Sequence, residues 1–219
     1  MTVPLLCAPA RSGASGPTGE LTAGGGDHSG PRGRGPRVLV VFASRHGATR
    51  EIAAELARHL PCTGAGRRCG LSTVLAPVQQ QPDPAGFDAL VVGSAVYDGR
   101  WLPSARRYVA AATEGWGSRP TWLFSSGLGS ELGAAPTPTD LDDAVGTRRG
   151  ADLVVRGHRA FAGRLERRLL SATECASLGR HHLAEGDFRD WREVRRWSAA
   201  IAAEVAQARR WRVGAGSTA

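Results

Sequence analysis

Apolar residues fall into short continuous runs, and stretches of helical period separate them. Val38 to Ala43 is unbroken, the pattern of a parallel strand covered on both faces. A helix is predicted over Thr49 to Leu60, with Ile52, Ala53, Leu56 and Leu60 on one face and Pro61 as its stop. Leu71 to Val78 reads as a second strand and Asp88 to Ala95 as a third. Pro103 suits a first helical turn, and Ala105, Tyr108, Val109 and Ala112 follow as an apolar stripe. Thr121 to Ser125 is a fourth strand. Residues 127 to 150 form a connection containing Gly and Pro, with a short helix expected near Leu141. The fifth strand fits either 152–156 or 158–162. The second is favoured because Gly157 separates the two runs and Gly163 closes the later one. A helix is predicted over Leu165 to Ser177. The last helix starts after Asp190, its cap, with Glu193 three residues on. Its stripe is Val194, Trp197, Ile201 and Val205.

Strands alternating with helices imply right-handed crossovers and an α/β fold with a parallel sheet. No internal repeat is visible. Residues 1–36 are rich in Gly, Pro, Ser and Ala without a period, and such a segment buries too little to offset chain entropy. The expectation is a disordered extension over 1–36, one folded domain over 37–208 and a flexible tail over 209–219. In such sheets ligands bind beyond the carboxyl ends of the strands, where the strand order reverses. The loops after strands 1, 3 and 4 are therefore the candidates.

The first, Ser44-Arg45-His46-Gly47-Ala48-Thr49, runs straight into a helix. A helix N-terminus presents unpaired N–H groups and a partial positive charge, so small residues there make a phosphate cradle. Ser44 and Thr49 add hydroxyls, and Gly47 permits the turn. Neither GxxxxGK[ST] nor GxGxxG is present in this loop. The alternative is an ordinary strand–helix turn with a Ser cap. The second loop, Gly93 to Pro103, carries Tyr97 and Trp101, either able to stack on a flat ring or to turn into the core. The third, Phe124 to Gly133, contains GxGxxxG after a strand. Pro136 and Pro138 interrupt any following helix, which argues against a dinucleotide site.

The chain has 219 residues and a net charge of +8, and all its cations are Arg. Such a basic surface attracts anionic membranes, nucleic acid or acidic substrates. No apolar run is long enough to span a bilayer, and the N-terminus lacks the pattern of a secretion signal. Cys7, Cys62, Cys69 and Cys175 form no CxxC pair, which fits reduced thiols in a cytoplasmic protein.

In order, "FASRHGATREIA", "VVGSAVYDGRWLPSA", "FSSGLG", "HRAFAGRL" and "GDFRDWREVRRW" resemble the flavodoxin-domain family. The resemblance is to its branch that includes menaquinone-dependent protoporphyrinogen IX dehydrogenase (oxidase), and it covers about residues 37–208. It implies a flavodoxin-like three-layer sandwich, a five-stranded parallel sheet of order 2-1-3-4-5 (the order for which flavodoxin is a type case) and non-covalent FMN. Carried over by position, Ser44, Arg45, His46, Gly47, Ala48 and Thr49 are expected to hold the FMN phosphate. Ser94, Ala95, Val96, Tyr97, Gly99 and Trp101 are expected to flank the isoalloxazine on one side. Ser125, Ser126, Gly127 and Gly129 are expected on the other. Three features depart from the pattern. His46 stands where the T-x-T-G-x-T motif has its second Thr. The strand-4 loop lacks an aromatic. The insertion after strand 4 in well-studied protoporphyrinogen dehydrogenases is short or absent.

Electron-carrier flavodoxins are usually acidic, and this chain is basic. An Arg such as Arg45 or Arg100 about 7 Å from the ring favours reduced anionic flavin by roughly 2 kcal/mol. That suits an oxidoreductase taking electrons from an organic substrate such as protoporphyrinogen IX and passing them to a quinone or redox partner protein. The basic surface also suits peripheral contact with the inner face of the membrane. FMN carries the chemistry, and no catalytic protein residue or metal site is nominated. The alternatives are an electron-transfer flavodoxin and a flavodoxin-fold binding or regulatory protein that has lost FMN. His158 is read as structural and His181-His182 as solvent-facing. Arg192, Arg195 and Arg196 are read as a solvated helix face, with no nucleic acid expected.

Overall fold

The computed structural model describes residues 35–112, 116–128, 154–179 and 184–215. Residues 1–34 of the expected extension, the helix near Leu141, Gly129 and His181-His182 lie outside them. Eight strands are described: β1 (Arg37–Ala43), β2 (Ser72–Pro77), β3 (Ala89–Tyr97), β4 (Arg100–Trp101), β5 (Thr121–Gly127), β6 (Val155–Ala162), β7 (Arg164–Leu165) and β8 (Gly186–Asp187). The described helices are α1 (Ala48–His59), α2 (Gly64–Cys69), α3 (Pro103–Ala112), α4 (Ala172–Gly179) and α5 (Trp191–Ala215).

Five strands run in the order β2-β1-β3-β5-β6, every neighbouring pair parallel. That is the expected order, but the sheet has six strands, because β4 folds back antiparallel onto β3. Side chains alternate across β1, as a strand's period of two demands. Val38, Val40 and Phe42 enter one core with Ile52, Ala53, Leu56 and Leu60 of the α1 stripe and Val194, Trp197, Ile201 and Val205 of α5. Leu39, Val41 and Ala43 enter the other with Ala105, Tyr108, Val109 and Ala112 of α3. All three helical stripes read from the sequence are buried. At Gly93 an added Cβ would lie 1.9 Å from Cζ of Phe124, so the glycine leaves room for that ring.

Several boundaries differ from the sequence reading. Leu60 and Pro61 belong to a 3-10 turn, Leu60–Cys62, that follows α1. The short α2 was not anticipated; Thr63 caps it by accepting from Gly66 N at 2.9 Å. The fifth parallel strand is one continuous element, Val155–Ala162, and spans the favoured 158–162. Gly157 does not interrupt it, because the register slips by one residue between Thr121 and Trp122 and Gly157 pairs with Trp122. The helix expected over 165–177 begins only at Ala172. Arg164 and Leu165 are drawn into antiparallel pairing with Asp187 and Gly186, and Ser171 then starts the helix. Asp190 caps α5 by accepting from Arg192 N at 2.8 Å and Glu193 N at 3.2 Å. Glu193 reaches Arg159 at 3.5 Å. α5 continues to Ala215, past position 208.

Candidate functional site

Sheet register brings the three candidate loops together. Ala43 pairs with Ser94, Ser94 with Ser125, and Ser125 with Ala160. Neighbouring strands lie about 4.8 Å apart, so the ends of β1, β3 and β5 line one edge about 10 Å wide.

At the β1–α1 loop the chain turns through Gly47, with φ 92° and ψ −21°. Gly47 is the α1 N-cap, and no side chain caps the helix there. The first intrahelical bond is Glu51 N to Gly47 O at 3.0 Å, which leaves the leading amides of α1 to an outside acceptor. Ser44 Oγ accepts from Gly47 N at 3.0 Å, which tightens the loop and frees its own O–H to donate outward. Ser44, His46, Gly47 and Ala48 are half-buried and Arg45 is exposed. Thr49 is 1% exposed and packs beneath the loop, so its side chain is inside rather than at the rim.

The β3–β4 connection is a two-residue hairpin. Tyr97 pairs with Arg100, and Asp98 and Gly99 have φ of 50° and 71°. Positive φ at both central residues is the type I′ geometry that Asp-Gly favours. This turn sends Trp101 back into the protein. Its ring is 2% exposed and offers no open face for stacking. Tyr97 is the half-buried aromatic at the rim, and burial pushes its hydroxyl up to about 12. The Trp101 indole Nε1 donates to Ser125 Oγ at 2.8 Å, and Ser125 Oγ lies 2.8 Å from His158 Nε2. Burial lowers the His158 pKa, so its ring is neutral at neutral pH and Ser125 can donate to it. Ser94 Oγ donates to Ala95 O at 2.8 Å and accepts from Leu102 N at 3.0 Å. The hydroxyls of Ser94 and Ser125 are thus spent inside. Ala95 and Ser126 are buried, while Val96 and Gly127 are half-buried and Gly99 is exposed.

Glu174 is the residue that the sequence reading missed. Its Oε1 accepts from Arg45 Nη1 at 2.9 Å and lies 3.1 Å from His46 Nε2. Its Oε2 accepts from Ser171 N at 2.8 Å and Ser171 Oγ at 2.9 Å. The Ser171 backbone bond, then Arg45 and His46, hold its carboxyl down at about 2. The local half of this was legible: Ser171-x-x-Glu174 is a capping box. Its reach to a loop so distant in sequence was not. The Arg45 guanidinium lies 4.3 Å from the Tyr97 ring centroid, and the His46 ring meets Tyr97 edge-on at 6.2 Å.

A second network anchors the same end of α1. Glu51 Oε2 accepts from Arg189 Nη1 at 2.8 Å, and Arg164 Nη2 lies 3.2 Å from Glu51 Oε1. The Arg189 side chain is 3% exposed, and Asp187 at 2.7 Å is its second carboxylate partner. Two partners offset the cost of burying that cation.

The family model described as the flavodoxin domain matches residues 39–174. Among solved structures, the Streptococcus pneumonia TIGR4 flavodoxin is similar at 16% identity and a TM-score of 0.50, over 78% of this chain and 98% of that one. The metal-soaked flavodiiron core from Synechocystis sp. PCC6803 is similar at 13% identity and a TM-score of 0.50, over 81% of this chain. This chain spans only 36% of that core's length. No curated protein matches the sequence. The family model covers well over half of the chain, and the protein belongs to the flavodoxin-domain family.

Proposed function

We infer that this chain is an FMN-dependent oxidoreductase of the protoporphyrinogen dehydrogenase type, passing electrons from a reduced organic substrate to a quinone. The observation that carries the FMN assignment is the uncapped α1 N-terminus at Gly47, on the same sheet edge as the Tyr97 hairpin. The residues present fit the group. The loop Ser44–Ala48 offers backbone amides and the Ser44 hydroxyl to a phosphate, and Tyr97, Val96 and Gly99 offer a rim to a flat ring. When bound, FMN supplies reversible one- and two-electron chemistry.

The protein's own residues bind and orient. Gly47 aims the amides, and the buried Trp101–Ser125–His158 chain locks the hairpin against β5 and β6. Arg45 does not act as a free cation toward the ring, because Glu174 offsets its charge. Arg100, exposed on β4, is the arginine left to favour reduced anionic flavin. The basic surface suits an anionic substrate, such as a porphyrinogen with its propionates, or anionic lipid headgroups. Among the described residues, no helix is long and apolar enough to cross a membrane. The same reading places the protein in the cytoplasm, with peripheral contact at the inner face of the membrane.

A second reading has its own observation. The Arg45 guanidinium covers one face of Tyr97 and Trp101 is turned inward, which suits a flavodoxin-fold binding protein that has lost FMN. Adding FMN to the purified chain separates the two. A bound, yellow complex with quenched flavin fluorescence supports the first, and no complex supports the second. Oxidation of protoporphyrinogen IX with a menaquinone analogue then supports the dehydrogenase assignment. Electron exchange with a reductase alone supports a carrier.

A further inference from the structure

The excursion between β7 and β8 carries α4, and with it Glu174, to the phosphate loop. The orientation of its carboxylate is set by its own helix: Oε2 accepts from Ser171 N at 2.8 Å and from Ser171 Oγ at 2.9 Å. That leaves Oε1 for the loop, where Arg45 Nη1 lies at 2.9 Å and His46 Nε2 at 3.1 Å. Glu174 is held at about 2 and an arginine stays charged, so the pair with Arg45 persists across the working pH range.

Fastened in this way, the Arg45 guanidinium rests 4.3 Å from the Tyr97 ring centroid. A stacked flat group needs that same space, so the face beneath Arg45 has no room for a planar ligand as well. Three elements thus meet over one phenol: α4 holds the loop's arginine, and the arginine covers the last residue of β3. The pair is only partly shielded, with the Arg45 side chain 49% exposed and that of Glu174 17%. An ion pair and a cation–π contact so placed are each modest, strong enough to hold the side chain and weak enough for a ligand to displace it.

Two other charges flank the loop. An added Cβ on Gly47 would lie 3.8 Å from Arg50 Nη2 and 4.0 Å from Glu51 Oε1. Glu51 is shared by Arg164 and Arg189. Arg50 favours an anionic ligand whether or not Arg45 is fastened, so it bears on a phosphate and not on the covered ring face.

We propose that Glu174 is the catch of a latch: it keeps Arg45 on Tyr97, and a planar ligand ring stacks there only after the guanidinium swings away. Glu174 is a positioning residue in this scheme and acts through Arg45. The inference deepens the FMN reading and rests on it. It joins two features of the site, a cradle open to phosphate and an aromatic face closed to a ring.

Flavin titration of the full chain, followed by quenching of flavin fluorescence, tests the proposal. Riboflavin is the main probe, because without the phosphate it carries no charge for Glu174 to repel. Glu174→Gln should bind riboflavin about fivefold more tightly than wild type, the size of one partly exposed ion pair. Arg45→Ala should give a similar gain, and the double variant no more than either alone, because both act through one contact. Ser171→Ala keeps every charge and only loosens the carboxylate, so a smaller gain in the same direction is expected. In the wild-type protein, the Arg45 side-chain proton signals should be shifted upfield by the Tyr97 ring and should lose that shift when FMN is added. Riboflavin affinity unchanged or weakened in either E174Q or R45A overturns the proposal while leaving the FMN assignment standing. An Arg45 ring shift that survives FMN binding does the same. A gain for FMN alone in E174Q marks simple repulsion of the phosphate and also overturns it. Absence of any flavin complex in the wild type and in every variant overturns the FMN assignment itself.

Discussion

The indole of Trp101 donates to the hydroxyl of Ser125 at 2.8 Å, and this bond turns a residue at the end of the candidate ring-binding hairpin into part of the core. The same hydroxyl meets His158, so β4, β5 and β6 are tied through one oxygen. The hairpin that carries Tyr97 is thereby held at a fixed height above the sheet edge.

Ser125→Ala removes the shared oxygen and orphans a buried N–H. Unfolding free energy should fall by about 2 kcal/mol, the cost of an unsatisfied buried donor, measured by urea denaturation. Trp101→Phe removes the donor together with part of the ring, and should cost about the same through lost volume. Wild-type stability in both variants would mean that the hairpin is held by something else.

Gly47→Ala places a Cβ on a backbone with φ 92°. Steric space is open, since the nearest atom is 3.8 Å away, so the penalty is conformational. A loss of about 1–2 kcal/mol in stability is expected. FMN affinity should drop as well, because the turn aims the α1 amides. Fluorescence titration with FMN reads the second effect, and an unchanged dissociation constant would detach Gly47 from the phosphate site.

Gly93→Ala tests close packing. The new methyl would sit inside the Phe124 ring, which is itself fully buried. Overpacking of about 3 kcal/mol is expected, read as a lowered melting temperature. The double variant with Phe124→Leu should recover part of it.

Acid stability follows from two groups whose shifts share a sign. Glu174 has its folded pKa depressed from 4.5 to about 2, so its contribution is complete above pH 4.5 and is lost as pH falls toward 2. His158 is kept neutral by burial, with its folded pKa lowered from 6.5. Its contribution is therefore complete above that value and declines as pH drops below it. Urea midpoints measured against pH should fall in both windows. E174Q should flatten the lower window and His158→Gln the upper. A lower window unchanged in E174Q would contradict the clamp geometry.

Much of this architecture was readable from local pattern. The runs 38–43, 88–95 and 121–125 read as strands from their length and apolar content, and the stripes at 52–60, 105–112 and 194–205 name the helix faces that cover them. The Ser44–Thr49 loop and the loop carrying Tyr97 were visible as candidates because ligands bind beyond the carboxyl ends of the strands in such a sheet. Period and turn chemistry act over a few residues, so one sequence displays them directly.

Three decisions belong to the tertiary structure. Trp101 turned inward because a type I′ turn and a serine on another strand offered its N–H a partner. Glu174 reached Arg45 and His46, from which 128 residues separate it at His46, because pairing of β7 with β8 fixed the base of the excursion that carries it. Arg189 was buried because Glu51 and Asp187 arrived from different elements to neutralise it. Each depends on charges and donors distant in sequence meeting in space, where burial makes an unpaired group costly, and no local period encodes such meetings.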